Sequence, residues 1–226
     1  MDYIHSWSYG SMIIRLIVAI ICGSMIGIDR EIKNRGAGMK THALVCLGSA
    51  LAMMVSDYMY RIYPGELDLA RIGAQVISGV GFLGVGTIIV TEKKQIKGLT
   101  TAAGLWVCAC MGIAIGIGFV EGAVIAIILV LLCQKFLDKV DVELHKKALR
   151  FDIYIEFADN TGAHQLLEWM HTNNFEIRNF NVRQSRVGEA PVATFTVVFE
   201  TSAQREDFRA RMHTIPGQCY IDELYQ

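Results

Sequence analysis

Residues 79–84 read Gly-Val-Gly-Phe-Leu-Gly, which is the G-x-G-x-x-G pattern of dinucleotide-binding loops. In such loops the glycines follow a strand and open a helix whose amides bind a pyrophosphate. Here they lie inside residues 72–90, which carry no charge and are long enough to cross about 30 Å of hydrocarbon as a helix. We therefore interpret these glycines as helix-packing positions and not as a nucleotide site.

Ionisable and hydroxyl side chains gather where apolar runs meet polar loops. They are Asp29, Arg30, Glu31, Thr41, His42, Thr100 and Thr101. A solvated charge cluster at helix ends is one interpretation of this set. The other is an interhelical polar network that binds an ion or transmits a change within the protein. The set contains no cage of carboxylates of the kind that a hard cation requires, and we expect no metal site.

A second polar set follows the spacing of one helix face. Arg71, Gln75 and Ser78 fall at positions i, i+4 and i+7, so a helix places them in a single stripe. An ionisable group inside a membrane span is costly and typically faces a bundle interior, and we expect this stripe to do so. Snorkelling of Arg71, and of Arg15 in the first apolar run, to lipid phosphates is the open alternative.

The six cysteines indicate neither disulfides nor a cofactor site. Five lie in apolar runs, where cysteine packs as a small apolar residue, and only Cys219 lies in the polar part of the chain. The sequence shows no nucleophile–base pair and no metal-ligand spacing. We expect the protein to be no enzyme and to carry no cofactor.

The chain is too apolar for an ordinary soluble domain. Of its 226 residues 53% are hydrophobic and 19% are charged, and the mean hydropathy is +0.37. Runs long enough for helical spans cover residues 9–28, 41–60, 71–90, 100–117 and 119–137. We predict a membrane all-α bundle of about five transmembrane helices in residues 1–137, a helical connector in 138–149 and a small cytoplasmic α+β domain in 150–226.

Basic residues predict the orientation of the spans. The loops at residues 29–40 and 91–98 are rich in Lys and Arg, including Lys93 and Lys94. The charged residues in 57–70 are mainly acidic. Basic loops stay in the cytoplasm. The amino terminus is therefore expected outside, and the tail is expected in the cytoplasm.

Small residues recur at helical spacing within the spans and predict close helix packing. The glycines concerned are Gly23, Gly27, Gly79, Gly81, Gly84, Gly86, Gly112 and Gly116. In the third span these glycines lie on several faces of the helix. We therefore expect the third helix to be packed on more than one side.

Sequence periodicity in the tail predicts the element order β-α-β-β-α-β. Strands are expected at residues 150–157, 176–185, 192–200 and 218–225, with helices at 161–174 and 202–214. This order is that of the ferredoxin-like fold, which also describes small ACT-type regulatory domains. A likeness of fold alone assigns no ligand to the tail.

Three stretches resemble the signature segments of the MgtC/SapB family of bacterial membrane proteins. They read IGIDREIKNRGAGMKTHALVCLGSAL, RIGAQVISGVGFLGVGTII and KGLTTAAGLWVCACMGIAIG. The resemblance covers roughly residues 12–137, and the tail resembles the ACT-like domain of many members more weakly. Asp29, Arg30 and Glu31 match the acidic-Arg-Glu signature, with Asp where many members have Glu. Gly104 stands where a Thr is common.

The resemblance implies a multi-pass inner-membrane protein associated with growth at low magnesium and, in pathogens, with survival inside macrophages. We expect a non-enzymatic regulator whose cytoplasmic domain senses a ligand or partner. The alternative is an ion transporter or channel, either for magnesium or proton-coupled. It is suggested by Arg71 and Gln75 and by a short repeat starting at Gly38 and Gly98. Expected partners are the lipid bilayer, another membrane protein and a second copy of the chain, with no nucleic acid.

Overall fold

The computed structural model describes residues 7–91, 95–183 and 191–224. The described residues fall into two compact units, the first within Met1–Val90 and Ile96–Asp138 and the second within Thr91–Gln95 and Lys139–Gln226. Lys93 and Lys94 of the second basic loop lie outside the described residues.

The first unit is built from helices. They are α1 (Tyr9–Ile32), α2 (Met39–Ile62), α3 (Ala70–Thr87), α4 (Leu99–Ile117) and α5 (Val120–Lys147), which extends past the unit. Ser8 is the N-cap of α1, and its hydroxyl oxygen accepts a hydrogen bond from the Ser11 N–H at 3.2 Å. Between α3 and α4, β1 (Ile89–Val90) and β2 (Ile96–Lys97) form a small antiparallel ribbon. The predicted helical connector is thus largely a continuation of α5.

Among the described residues, four helices are long and apolar enough to cross a membrane: α1, α2, α4 and the Val120–Asp141 part of α5. The prediction of five spans is not confirmed, because α3 is not among these four helices. It has 18 residues, nearly as many as α4, but they are less apolar than those of α4. Arg71 and Gln75 lower its hydropathy, and Ile89–Val90 leave the helix for β1.

Glycines of α1 allow its backbone to approach that of α2. A Cβ atom at Gly23 would lie 2.6 Å from the His42 carbonyl oxygen, and one at Gly27 would lie 2.5 Å from Met39 Cα. Real Cβ atoms essentially never come within 3.0 Å of such atoms. The two positions therefore leave no room for a side chain, which is the geometry of small-residue packing between membrane helices.

Glycines of α4 also allow a close approach to the α2 backbone, from another side of α2. A Cβ atom at Gly112 would lie 2.7 Å from Ser49 Cβ, and one at Gly116 would lie 2.9 Å from Met53 Cβ. The α2 helix is thus held between α1 and α4 by contacts that involve its own backbone. Buried apolar residues of all three helices, Ile26, Ala50 and Ile115 among them, fill the remaining space.

The glycines of α3 do not pack as expected. A Cβ atom at Gly84 would lie 3.5 Å from Ala102 of α4, whereas one at Gly79, Gly81 or Gly86 would have no described atom within 4 Å. The buried residues of α3 share one face and are Gly73, Val80 and Gly84. This corrects the expectation of packing on several sides, because within one chain α3 contacts its neighbours through a single buried face.

The second unit contains an antiparallel sheet of four strands. Its elements are β3 (Arg150–Phe157), α6 (Gly162–Thr172), β4 (Glu176–Arg183), β5 (Val192–Val198), α7 (Ser202–Arg211), a 3₁₀ turn (Met212–Thr214) and β6 (Gln218–Leu224). Their order is β-α-β-β-α-β, as the periodicity predicts. The spatial order of the strands is β4-β5-β3-β6.

Alternation along the central strands turns one face of this sheet toward a core. Phe151, Ile153 and Ile155 of β3 are buried, and their neighbours Asp152 and Glu156 are partly exposed. Apolar residues of both helices share the core, including Leu166, Met170 and Phe208. The strand period of two residues therefore explains which side of the sheet the helices cover.

Replacing Gly112 and Gly48 separately by Ala tests the close approach of α4 to α2. Gly48 is a helical glycine with nothing within 4 Å of an added Cβ. We expect Gly48→Ala to raise the free energy of unfolding by up to about 1 kcal/mol through helix propensity. Gly112→Ala should lower it by about 1–3 kcal/mol through overpacking. Unfolding in mixed micelles measures both, and shifts of the same sign would contradict the packing.

Candidate functional site

Charged and titratable side chains gather around the turn between α1 and α2. We call this set the turn cluster. Its members are Asp29, Arg30, Glu31, Lys33, His42 and Asp138. Four of them belong to the polar set predicted from the sequence, whereas Lys33 and Asp138 do not.

Glu31 stabilises the start of α2. This helix follows Gly38, which provides no side-chain cap. Oε2 of Glu31 accepts from the Met39 N–H at 3.0 Å and supplies an acceptor that the helix N-terminus otherwise lacks. A carboxylate at this position also complements the positive end of the helix dipole. Glu31 therefore has a local structural role.

Lys33 joins Asp29 to α5. The Asp29 carboxylate accepts from the Arg30 guanidinium and pairs with the Lys33 ammonium group at 3.0 Å. The same ammonium group donates to the carboxylate of Asp138, which lies 105 positions further along the chain. A continuous line of charge pairs thus runs from α1 to the point where α5 leaves the first unit.

Lys33 is charged throughout the physiological pH range. Burial works to lower the pKa of its ammonium group, but hydrogen bonds to Asp138 and Asp29 outweigh burial and raise this pKa above its ordinary value. The lysine charge in these pairs therefore contributes fully to the stability of the folded chain below the ordinary lysine pKa of about 10.4. This contribution to stability is lost only as the pH rises through the raised pKa. The Lys33 side chain is 33% exposed. Each pair is therefore worth at most about 1 kcal/mol.

His42 is fully buried, with 0% of its surface exposed. Its Nδ1 lies 2.9 Å from the Gly38 carbonyl oxygen, so Nε2 is the acceptor when Nδ1 carries the proton. Nε2 has no hydrogen-bond partner among the described atoms, and a Cβ atom at Gly104 would lie 3.0 Å from it. Arg30, 6% exposed, has a buried Nε that likewise lacks a partner in the described part of the chain.

The three threonines of the predicted set have different environments. Thr101 on α4 is buried, Thr41 on α2 is half-buried and Thr100 is exposed. Thr101 lies one turn before Gly104, so both share the helix face that His42 contacts. The structure thus brings Thr101, and not Thr100, toward the buried side of the predicted network.

The carboxylates of the turn cluster are occupied by cations and by a backbone N–H. In residues 7–91, 95–183 and 191–224, no group of three or more His, Cys, Asp and Glu side chains is placed to hold a metal ion. The cluster is consequently a set of fixed charge pairs and not an open ligand set. Such an arrangement can transmit a displacement of one helix to another.

The second predicted polar set lies apart from the turn cluster. Arg71, Gln75 and Ser78 are exposed on α3, and none of these side chains forms an ion pair or hydrogen bond with another described residue. This corrects the expectation that the stripe faces the bundle interior. The reason is that α3 packs through the opposite face, where Gly73 and Val80 are buried.

Arg15 faces the interior of the first unit instead of snorkelling to lipid. Only 2% of its surface is exposed, and Nη1 donates to the Gly116 carbonyl oxygen at 3.0 Å. A cation at this place complements the negative end of the α4 dipole. Gly118, with a φ of 99°, ends the helix, and a Cβ atom there would lie 3.0 Å from Arg15 Nη2.

Sequence reasoning missed Lys33, Asp138 and the interior position of Arg15. Lys33 had a usable signal, because it follows Asp29 by four residues and the two side chains share a helix face. Asp138 had none, since its contact with Lys33 depends entirely on how α5 packs. A polar residue in an apolar run indicates a cost in free energy for placing that side chain in a membrane span. It does not show in which direction the side chain points.

Replacing Arg15 and Arg61 separately by Met tests the importance of the interior arginine. Arg61 is half-exposed and pairs with Asp57 at 3.1 Å. We expect Arg15→Met to lower the free energy of unfolding by about 2–3 kcal/mol, because it removes a charged hydrogen bond from a buried carbonyl group. Arg61→Met should cost less than about 1 kcal/mol. Denaturant unfolding in mixed micelles measures both, and equal losses would contradict the interior role of Arg15.

The sequence profile of the MgtC family matches residues 16–142. Protein SapB of Bacillus subtilis is 32% identical over 187 residues, 79% of each chain. The Escherichia coli K12 protein named "Putative magnesium transporter YhiD" is 38% identical over 161 residues, 70% of this chain and 73% of its own. Protein MgtC of Salmonella typhimurium is 40% identical over 119 residues, 53% of this chain and 49% of its own. No solved structure matches the chain.

The profile covers the three signature stretches, the turn cluster and nearly the whole of the first unit. Relatives named MgtC, SapB and YhiD agree with it, and the four apolar helices agree with a membrane location. The resemblance noted from the sequence is therefore confirmed. The chain is a membrane protein that belongs to the MgtC/SapB family.

Proposed function

We propose that the protein is a non-enzymatic regulator in the bacterial inner membrane, linked to growth at low magnesium and, in pathogens, to survival inside macrophages. The family and the printed name of YhiD support the link to magnesium. Another membrane protein is the expected target of regulation.

In this proposal α3 is a fifth, short span. The amino terminus lies outside, and the turn cluster and the tail lie in the cytoplasm. Basic residues in and beside the α1–α2 turn support this orientation; they are Arg30, Lys33, Arg35 and Lys40. A span of 18 residues is accommodated by local thinning of the bilayer and by Arg71 reaching the headgroups.

The tail is proposed to be an ACT-like sensing domain with a ferredoxin-like fold. Its order β-α-β-β-α-β and its strand order β4-β5-β3-β6 support this, because the split-βαβ unit places its first strand beside its third. The fold assigns no ligand, so the sensed molecule is left unnamed.

The observation that carries the regulatory proposal is the double pairing of Lys33. One ammonium group contacts Asp29, which also pairs with the buried Arg30, and Asp138 on α5. The same α5 helix continues to Lys147, three residues before the first strand of the tail. A displacement of α5 caused by the tail would therefore act on Asp29 and Arg30 through Lys33.

An ion transporter is the second candidate. Arg15, Arg30 and His42 are buried within apolar helices, and intramembrane ionisable groups often mark ion pathways. The printed name of YhiD favours the same candidate. Against it, the carboxylates of the turn cluster are already paired, so a cation would have to displace Arg30 or Lys33.

The substitution Asp138→Asn tests the coupling. It removes the charge pair with α5 but leaves the pair between Asp29 and Lys33. Because an exposed pair adds at most about 1 kcal/mol, the chain should stay folded and inserted. We expect its complementation of a low-magnesium growth defect to fall to that of a chain truncated after Leu137, which lacks the tail.

Asp138→Glu is the matched control, because it keeps the carboxylate and should keep full complementation. Full activity of Asp138→Asn, with the truncated chain inactive, would contradict the role of Lys33 in coupling. Full regulated activity of the truncated chain itself would contradict the sensing role of the tail.

A further inference from the structure

The exposed side of α3 carries a regular seam. Its residues are separated by four, three, four and three positions, which is the 3.5-residue period of a coiled-coil contact. They are Arg71, Gln75, Ser78, Phe82 and Val85. All are exposed, Phe82 by 83%. The seam lies opposite the buried face of α3 and runs along most of the helix.

Three residues of this seam are polar and lack partners in the described part of the chain. The Arg71, Gln75 and Ser78 side chains form no ion pair or hydrogen bond there. Phe82 and Val85 could face lipid without cost, but an amide group one to two turns inside a span requires a hydrogen-bond partner. The seam therefore indicates a contact that a single chain does not supply.

We propose that this seam is the interface with a second copy of the chain, formed by α3 packed parallel to α3 of the copy. Two copies in one membrane have the same orientation, so each layer of the seam meets its own equivalent. The Gln75 amide suits this arrangement, because it both donates and accepts and can pair with another Gln75. A single polar residue in such a core also fixes the register of the two helices.

Charge complementarity at the end of the seam supports the same partner. Asp68 precedes Arg71 by three residues and lies just before α3, which begins at Ala70. Its Oδ1 accepts from the Ala70 N–H at 2.9 Å, which holds the carboxylate at the start of α3. In a parallel pair, Arg71 and Asp68 of both copies lie at the same end of the seam. The pair of helices thus supplies an anion for each cation.

Glycines beside the seam permit a close approach. Gly79 and Gly86 are seven residues apart, and a Cβ atom at either would have no described atom within 4 Å. Small residues on one helix face allow two membrane helices to approach closely. They explain, within this proposal, why glycines that do not pack inside one chain recur along α3.

A cysteine scan along α3 tests the proposal in the full chain. The background carries Ser in place of the exposed Cys133 and Cys219, and the protein is reconstituted in liposomes. Single Cys substitutions are made at the seam positions 75, 78, 82 and 85 and at the off-seam positions Ile72 and Leu83. Disulfide formation requires Cβ atoms about 3.5–4.5 Å apart. We expect copper-phenanthroline to give dimers at the seam positions and none off the seam.

A second measurement uses Gln75→Leu, which keeps the bulk of the side chain but removes the amide. We expect the dissociation constant of the dimer in detergent to rise roughly 3- to 30-fold, the effect of one interhelical hydrogen bond in a membrane. Gln75→Asn should retain most of the affinity. Dimers formed equally at position 83, absence of cross-links along the seam, or a monomeric mass by light scattering would overturn the proposal.

The inference rests on the proposed placement of α3 in the membrane. Labelling of Phe82→Cys by a water-soluble maleimide separates the two ideas, because a membrane-embedded thiol reacts slowly. Fast labelling would contradict both the fifth span and the interface. Slow labelling without seam cross-links would contradict the interface alone.

Discussion

The close approach of α1 and α4 to the backbone of α2 is the constraint on which the first unit depends. Lipid gives helices no hydrophobic reason to associate, so van der Waals contact between backbones must hold them together. Gly23 and Gly27 on one side and Gly112 and Gly116 on the other leave no room for a Cβ atom. These contacts fix the height of each helix relative to α2, and that height decides which polar groups meet.

Buried polar groups lie at both ends of this packed core. Near one end Arg15 binds the last turn of α4, and near the other His42 faces Gly104 beside the buried Arg30. A buried charge is tolerated only where partners are held in place, which a rigid core provides. Lys33 lies at the edge of this arrangement and contacts α5. Val120, Ala123 and Ile127 at the start of α5 belong to the same core, whereas Asp138, which pairs with Lys33, lies further along that helix.

The sequence predicted elements better than contacts. Strand alternation in residues 150–157 and long apolar runs such as 100–117 are local signals, and the structure reproduces both elements. Periodicity also showed that Arg71, Gln75 and Ser78 share a face, but it could not show that this face points away from the core. The pair between Lys33 and Asp138 had no signal at all, because it joins residues 105 positions apart. Which helix faces meet is decided by packing, which a single sequence does not record.

Ion flux through the reconstituted protein distinguishes regulation from transport most directly. Sealed proteoliposomes would contain the wild-type chain or Asp29→Asn, and magnesium and protons would be followed separately, with insertion and orientation established by accessibility of the tail. Regulation without transport predicts no flux above that of protein-free vesicles for either chain. Flux of magnesium or protons through the wild-type chain that Asp29→Asn removes would contradict it and would place the pathway at the end of α1.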